Sequence, residues 1–329
     1  MTYLASALQA FFTDYVHTQR DLTDNTIASY RDTWRLLIKH ICATTATSAD
    51  RIRLEDLDRD TVTAFLDHLT HERANTAATR NARLGAIRVL LAHTLPDHPE
   101  HAETIRRILT IPPAKTTKIP ISYLNPQETA ALLAAPDIAT WTGRRDQTML
   151  TLVINTGLRI SELISLTTAS IHTQTSPYVE CEGKGRKRRA TPISTATRDQ
   201  MCGYLNERNQ MPGSALFPGP HGNPLSRDAI EHRLTTHVRT AADTCPSLNG
   251  KHVTMHTLRH TTAMNLLHAG VDITVIALWL GHEQTSTTDI YLHADMETKK
   301  AALDKTRPPE VTPGTYTPAP GILAWLEAL

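Results

Sequence analysis

The sequence predicts a mainly α protein with a small antiparallel β-sheet, built as an all-α N-terminal part and an α+β C-terminal part. Three observations predict it. Apolar residues recur at helical spacing through most of residues 1–110 and again after residue 124. One stretch, 177–193, alternates instead and surrounds a glycine-containing turn. Between the two parts, T-I-P-P-A-K-T-T-K-I-P-I-S-Y (110–123) carries three prolines and no apolar stripe. A chain of 329 residues is long enough for two cores. The expected division is 1–110, a linker at 111–123, a second domain at 124–305 and a tail at 306–329.

In chain order, Leu4, Leu8, Phe11, Phe12 and Tyr15 mark a first helix. Asp24 reads as the N-cap of a helix through Ile27, Tyr30, Trp34, Leu37 and Ile41, and Asp60 as the cap of one through Val62, Phe65, Leu66 and Leu69. A fourth helix over 77–93 buries Leu84, Ile87, Leu90 and Leu91. It carries Arg80, Arg83 and Arg88 largely off that stripe, a solvated face or one presented to phosphates and base edges. A short helix at 101–109 closes the first part. Asn125-Pro126-Gln127-Glu128 starts the second part with a capping box and a first-turn proline. Residues 142–170 read as helix, turn, helix, with Gly157 as a left-handed C-cap and Arg159 opening the second helix. A guanidinium beside free backbone N–H groups suits a phosphate.

Y-V-E-C (178–181) and A-T-P-I (190–193) flank G-K-G-R-K-R-R, a hairpin with a strongly basic tip. Lys184 lies between two glycines there, so backbone can approach a ligand closely and the lysine alone carries a long side chain. Helices follow at 195–209 and 226–243. Thr254 then caps a helix with His256 and Arg259 on one face and Leu258, Met264 and Leu267 buried. Gly270 ends it. Asp272 caps a short helix that stops at Gly281, and His282 and Tyr291 follow. After Lys305 the chain has five prolines between 308 and 320 and ends I-L-A-W-L-E-A-L, a segment too short to be a stable helix alone and too apolar to leave in water.

Composition excludes several classes. No run of about 18 apolar residues is present to cross a membrane. The four cysteines are scattered without a C-x-x-C pair, which fits neither a disulfide framework nor a zinc site and points to a reducing cytoplasm. The net charge is only +1, so nucleic-acid binding would rest on local clusters, the densest being the five basic residues among 184–189. There is no H-E-x-x-H, no carboxylate cluster and no G-x-x-x-x-G-K-[ST] loop. Within residues 254–295, a cation, imidazoles and a lone tyrosine suggest chemistry on an anionic phosphate.

Four blocks carry a family resemblance: T-G-L-R-I-S-E-L at 156–163, G-K-G-R-K at 183–187, H-T-L-R-H at 256–260, and L-G-H followed by T-T-D-I-Y at 280–291. In these, in their order and spacing, the sequence resembles the tyrosine recombinase (phage integrase) family, including its Xer-type members. The resemblance implies an all-α core-binding (SAM-like) domain followed by an α+β catalytic domain. It implies site-specific DNA breakage and rejoining through a 3′-phosphotyrosyl intermediate. Arg159 and Arg259 would clamp the non-bridging oxygens of the scissile phosphate and Lys184 would protonate the leaving 5′-oxygen. His256 would assist proton transfer, His282 would hydrogen-bond the phosphate, and Tyr291 would be the nucleophile, with His260 structural. Arg80, Arg83, Arg186, Lys187 and Arg188 are the DNA-contacting candidates. No cofactor or metal is implied.

The partners implied are double-stranded recombination sites and further copies of the chain, four on two duplexes, with room for a second recombinase or an accessory protein. The tail is expected to dock in a groove. The segment after His282 resembles mobile-element integrases more than the Xer pair, which favours integration, excision or transposition over dimer resolution. The alternatives are a type IB topoisomerase or telomere resolvase with the same chemistry, a DNA-binding protein without catalysis, and a histidine-based metal hydrolase.

Overall fold

The computed structural model describes residues 3–19, 22–116, 121–183, 188–208, 213–281 and Gly321. The chain divides into two compact units, Met1–Ile119 and Pro120–Leu329. The described residues are mostly helical, with one three-stranded antiparallel sheet, as the apolar periodicities predict.

The first unit holds helices α1 (Leu4–Ala10), α2 (Asp24–Thr45), α3 (Arg59–His71), α4 (Ala77–Thr94) and α5 (Ala102–Leu109). A π-helical segment, Phe11–Gln19, continues α1. Their stripes meet in one core around Phe11, Trp34, Leu37, Phe65, Leu66, Ile87 and Leu90. Two caps differ from expectation. Asp24 is the first helical residue of α2 and Thr23 occupies the N-cap position. Asp60 sits in the first turn of α3, while Asp58 caps it by accepting from the Thr61 N–H at 2.8 Å. In both cases a polar residue just upstream takes the extended conformation that an N-cap needs. The segment read as a linker is fastened at both ends. Ile111 is buried in the core of the first unit, and Asn81 brackets Ala114 with two hydrogen bonds. Leu124, at the other end, is buried in the second unit and donates its N–H to Thr261 Oγ1 at 2.9 Å.

The second unit runs α6 (Pro126–Ala134), α7 (Trp141–Thr156), α8 (Ile160–Ser165), strands β1 (Ile171–His172), β2 (Tyr178–Glu182) and β3 (Arg188–Pro192), then α9 (Thr195–Arg208), α10 (Arg227–Thr244), α11 (Met255–His268) and α12 (Ile273–Leu280). The predicted hairpin is β2–β3, in register from Tyr178 opposite Pro192 to Glu182 opposite Arg188. The two-residue strand β1, which sequence periodicity cannot reveal, adds a third strand beside β2. The capping box at α6 forms in both directions between Asn125 and Glu128. Thr254 and Asp272 cap α11 and α12.

Helix α11 packs on α7 and α12. Thr262 Oγ1 donates across to the Ile154 carbonyl at 2.8 Å, and Met264, Leu267, Ile276 and Leu280 form a small core. Gly157 ends α7 at φ +65°, and a Cβ there would come within 2.5 Å of Leu280. Glycine is required at that point both for its backbone conformation and for the approach of α12. The ends of α7 and α12 are thereby brought beside the start of α8.

Candidate active site

The N-terminus of α8, the first turn of α11 and the C-terminal ends of α7 and α12 meet at one surface. Here Arg159, His256 and Arg259 line a single cleft of about 340 Å³, together with Ser161, Arg227 and Glu231. These three are the predicted catalytic residues within the described part of the chain. Lys184, His282 and Tyr291 lie outside the described residues, as do Arg186 and Lys187.

Arg259 is 2% exposed. Its Nη1 donates to the Gly157 carbonyl at 2.5 Å and its Nη2 to the Leu280 carbonyl at 2.7 Å. Both acceptors are at helix C-terminal ends, where a cation is favoured by the aligned peptide dipoles. Arg159 occupies the N-cap position of α8. Its Nη2 donates to the Gly281 carbonyl at 3.0 Å and its Nη1 to Glu162 Oε1 at 2.9 Å. The two arginines thus fasten to adjacent carbonyls at the end of α12, one almost wholly buried and the other with its side chain 35% exposed.

Glu162 was present in the T-G-L-R-I-S-E-L block but carried no predicted role. Its side chain is 1% exposed and accepts four hydrogen bonds. Oε1 takes Arg159 Nη1 and Arg189 Nη1 at 2.9 and 2.7 Å, and Oε2 takes the Arg159 backbone N–H and Arg189 Nη2, both at 2.8 Å. Burial opposes ionisation of this carboxyl, but the hydrogen bonds and charge of Arg189, with those of Arg159, hold it below the ordinary glutamate range. Arg189 reaches it from β3. The i,i+3 spacing of Arg159 and Glu162 was a usable signal, whereas the pairing with Arg189 across 27 residues was not.

His256 and His260, one turn apart on α11, meet edge to face with ring centroids 4.2 Å apart. Burial, then Arg259 and Arg159, lower the His256 pKa. Burial, His256 and Arg259 push His260 down to about 4. Both rings are therefore neutral at pH 7. An unfolded chain takes up protons at His260 from about pH 6.5 downward while the folded chain does not, so stability should fall between pH 6.5 and about 4. The expected loss is roughly 2 kcal/mol between pH 7 and pH 4.5. Urea denaturation across that interval checks it, and His260→Asn should flatten the dependence. An equally steep profile in that variant would discard the assignment.

The predicted DNA-contacting arginines are spread apart. Arg80 and Arg83 lie on α4, partly buried, Arg80 Nη1 reaching Asn81 Oδ1 at 3.5 Å. Arg88, on the same helix, donates to the Ile111 carbonyl and holds the end of the first unit in place. The Arg188 side chain is 76% exposed, 3.8 Å from the Glu180 carboxylate.

A mainly helical unit with two arginines and a neutral histidine in one cleft offers cationic donors and an unprotonated imidazole to an anion such as a phosphodiester. Residues 122–298 match the phage integrase family, and the chain belongs to that family, the tyrosine recombinases. It is similar to a putative integrase/recombinase, y4rC, of Sinorhizobium fredii, 40% identical over 326 residues that span 99% of this chain and 98% of that protein. It is also similar to the tyrosine recombinase XerD of Pseudomonas aeruginosa, 31% identical over 300 residues, 89% of this chain and 94% of that one. Among solved structures, the Tn1549 transposon integrase in complex with a circular intermediate DNA shares the fold, with a TM-score of 0.69 over 93% of this chain and 100% of that one at 15% identity.

Proposed function

We propose that this chain is a site-specific DNA recombinase that cleaves and rejoins duplex DNA through a 3′-phosphotyrosyl intermediate at Tyr291. The observation that carries the proposal is the convergence of Arg159, His256 and Arg259 on one cleft. Attack of the Tyr291 phenolate oxygen on phosphorus forms the P–O(Tyr) bond and breaks the bond to the 5′-oxygen. The phenol, with a usual pKa of about 10, needs a proton acceptor nearby. His256, neutral at pH 7, can be that acceptor. The guanidiniums of Arg159 and Arg259 offset charge that builds on the non-bridging oxygens. Lys184 gives the leaving 5′-oxygen its proton. Attack of a 5′-hydroxyl on the phosphotyrosine reverses these steps, and because the ester bond is conserved no nucleotide hydrolysis is needed.

A nicked duplex carrying the cognate site, which releases its 5′ end on cleavage, tests the proposal. The wild type should accumulate a covalent adduct. Tyr291→Phe should bind the site and form none, and an adduct in that variant would overturn the nucleophile. Lys184→Ala should be slow on ordinary DNA and recover on a 5′-bridging phosphorothiolate, whose sulfur leaves without an acid. Loss of cleavage on both substrates alike would remove Lys184 from that role.

Mobile-element integration or excision is the first reading of the biological role, supported by 40% identity to an integrase/recombinase across nearly the whole chain. The 31% identity to XerD supports dimer resolution as the second. Strand exchange on an element end favours one, and on a chromosomal or plasmid resolution site the other.

Exchange between two duplexes needs four cleavages, hence four protomers. A groove of about 440 Å³ between α7, α11, α12 and the end of β3, lined by Ile154, Pro192, Ile193, Leu266 and Trp279, supports assembly through the apolar tail of a second copy. Leu278, on α12 beside Trp279 in sequence, is 79% exposed. Deletion of 306–329 should leave single-site binding intact and abolish pairing of two sites in a gel-shift assay. Unchanged pairing would sink the docking role.

A further inference from the structure

We propose that Arg189 is a positioning residue for Arg159, acting by competition for the buried carboxylate they share. The inference rests on the recombinase reading above, because it concerns the phosphate clamp.

Arg189 takes both oxygens of Glu162 with its two terminal nitrogens, at 2.7 and 2.8 Å. Arg159 is left with a single side-chain bond, Nη1 to Oε1, and turns Nη2 to the Gly281 carbonyl. A bidentate fork is the stronger arrangement for a guanidinium and a carboxylate. One carboxylate cannot neutralise two guanidiniums, so a positive charge remains at this corner of the cleft. Arg189 has a side chain only 14% exposed, while that of Arg159 is 35% exposed and lines the cleft. The buried arginine consumes the carboxylate, and the accessible one keeps its charge for a phosphate.

The backbone is shaped for this arrangement. Gly281 has φ +66°, and a Cβ there would come within 2.7 Å of Arg189 Nη1 and 3.2 Å of its Cδ and Cζ. A side chain at residue 281 would require Arg189 to shift. Without Arg189, Glu162 has two oxygens for Arg159 alone. The expected result is a closed, neutral Arg159–Glu162 pair withdrawn from the substrate.

Arg189→Met keeps much of the aliphatic stem and removes the guanidinium. Single-turnover cleavage of the nicked duplex should slow about 10²-fold, the scale of losing one preorganised donor to a transition-state oxyanion. Three further readings separate positioning from general disruption. A methylphosphonate at the scissile position lacks one anionic oxygen, so it should restore cleavage by Arg189→Met relative to wild type, as it should for Arg159→Ala. A 5′-bridging phosphorothiolate should not restore it. Adding Glu162→Gln should raise the rate of Arg189→Met, because the competitor for Arg159 has lost its charge. A structural role predicts instead that the double variant is no faster than Arg189→Met, since two residues that share one ion pair then lose the same contact and gain nothing from losing both. Arg189→Lys, which keeps the charge and favours folding, should be slowed less than the methionine variant and show the same pattern.

Equal loss on all three substrates, rescue by the phosphorothiolate alone, a double variant no faster than Arg189→Met, or cleavage within threefold of wild type would each overturn the proposal. Failure of the recombinase reading is distinguishable, since wild type would then form no adduct and Arg159→Ala would gain nothing from the methylphosphonate.

Discussion

Arg259→Ala is expected to reduce single-turnover DNA cleavage by at least about 10³-fold and to destabilise the second unit at the same time. Losing one preorganised donor to a developing oxyanion costs about 10²–10³ in rate, and a guanidinium clamp supplies more than one. The structural loss has a separate origin. Arg259, 2% exposed, bonds the Gly157 and Leu280 carbonyls at 2.5 and 2.7 Å. Each buried carbonyl stripped of a donor costs about 1–3 kcal/mol. Arg259→Lys separates the two effects. It keeps the charge but offers one nitrogen where two carbonyls are held apart, so stability should partly recover while cleavage stays well below wild type. Stopped cleavage assays and urea melts on the same preparations check both. A lysine variant cleaving within tenfold of wild type would show that the paired geometry of the guanidinium is dispensable.

The second large effect is expected at a residue that does not line the cleft. Asp146 is fully buried on α7. Its Oδ1 accepts from Arg145 Nε and Nη2 at 3.1 and 2.9 Å, and its Oδ2 from Arg233 Nε and His237 Nε2 at 2.5 and 2.8 Å. Arg145, itself 3% exposed, continues to the Pro218 carbonyl at 2.6 Å. One carboxylate therefore joins α7, α10 and the loop before α10. Asp146→Ala leaves the buried Arg145 charge without its counter-ion, and should cost about 3–5 kcal/mol. Asp146→Asn keeps the shape and should cost less.

Burial opposes the Asp146 charge, yet His237, Arg145 and Arg233 hold its pKa below the ordinary aspartate value. A depressed folded pKa means the contribution is complete above about pH 4 and is lost as pH falls through the folded value. Acid unfolding monitored by circular dichroism should thus begin at higher pH in the asparagine variant. Coincident acid transitions would refute the linkage.

Local physics made much of this structure legible in the sequence. Gly157 as a left-handed cap, the Asn125–Glu128 box, and the Thr254 and Asp272 caps each depend on a few neighbouring residues, and each is where it was expected. The caps of α2 and α3 were misplaced by one and two residues because Thr23 and Asp58 compete with Asp24 and Asp60, and only the turn of the chain chooses between them. The cleft's arginines and His256 were legible from motif spacing. The Glu162–Arg189 pair was not, since the Arg189 side chain reaches α8 from β3 across 27 residues, and pairing at that range leaves no local trace. Arg88 shares the face expected for Arg80 and Arg83, yet its guanidinium is spent on the Ile111 carbonyl.

The end of α12 has a consequence for how the proposed nucleophile, Tyr291, would be delivered. The carbonyls of Leu280 and Gly281 are held by Arg259 and Arg159, so Gly281 is an anchor point made by the same groups proposed to grip the phosphate. Tyr291 follows ten residues later in the sequence. A chain of that length spans at most about 35 Å. The leash to the tyrosine is therefore measured from the clamp itself, and any phosphate that a nucleophilic Tyr291 attacks, on its own half-site or a neighbour's, must come within that backbone reach extended by the tyrosine side chain.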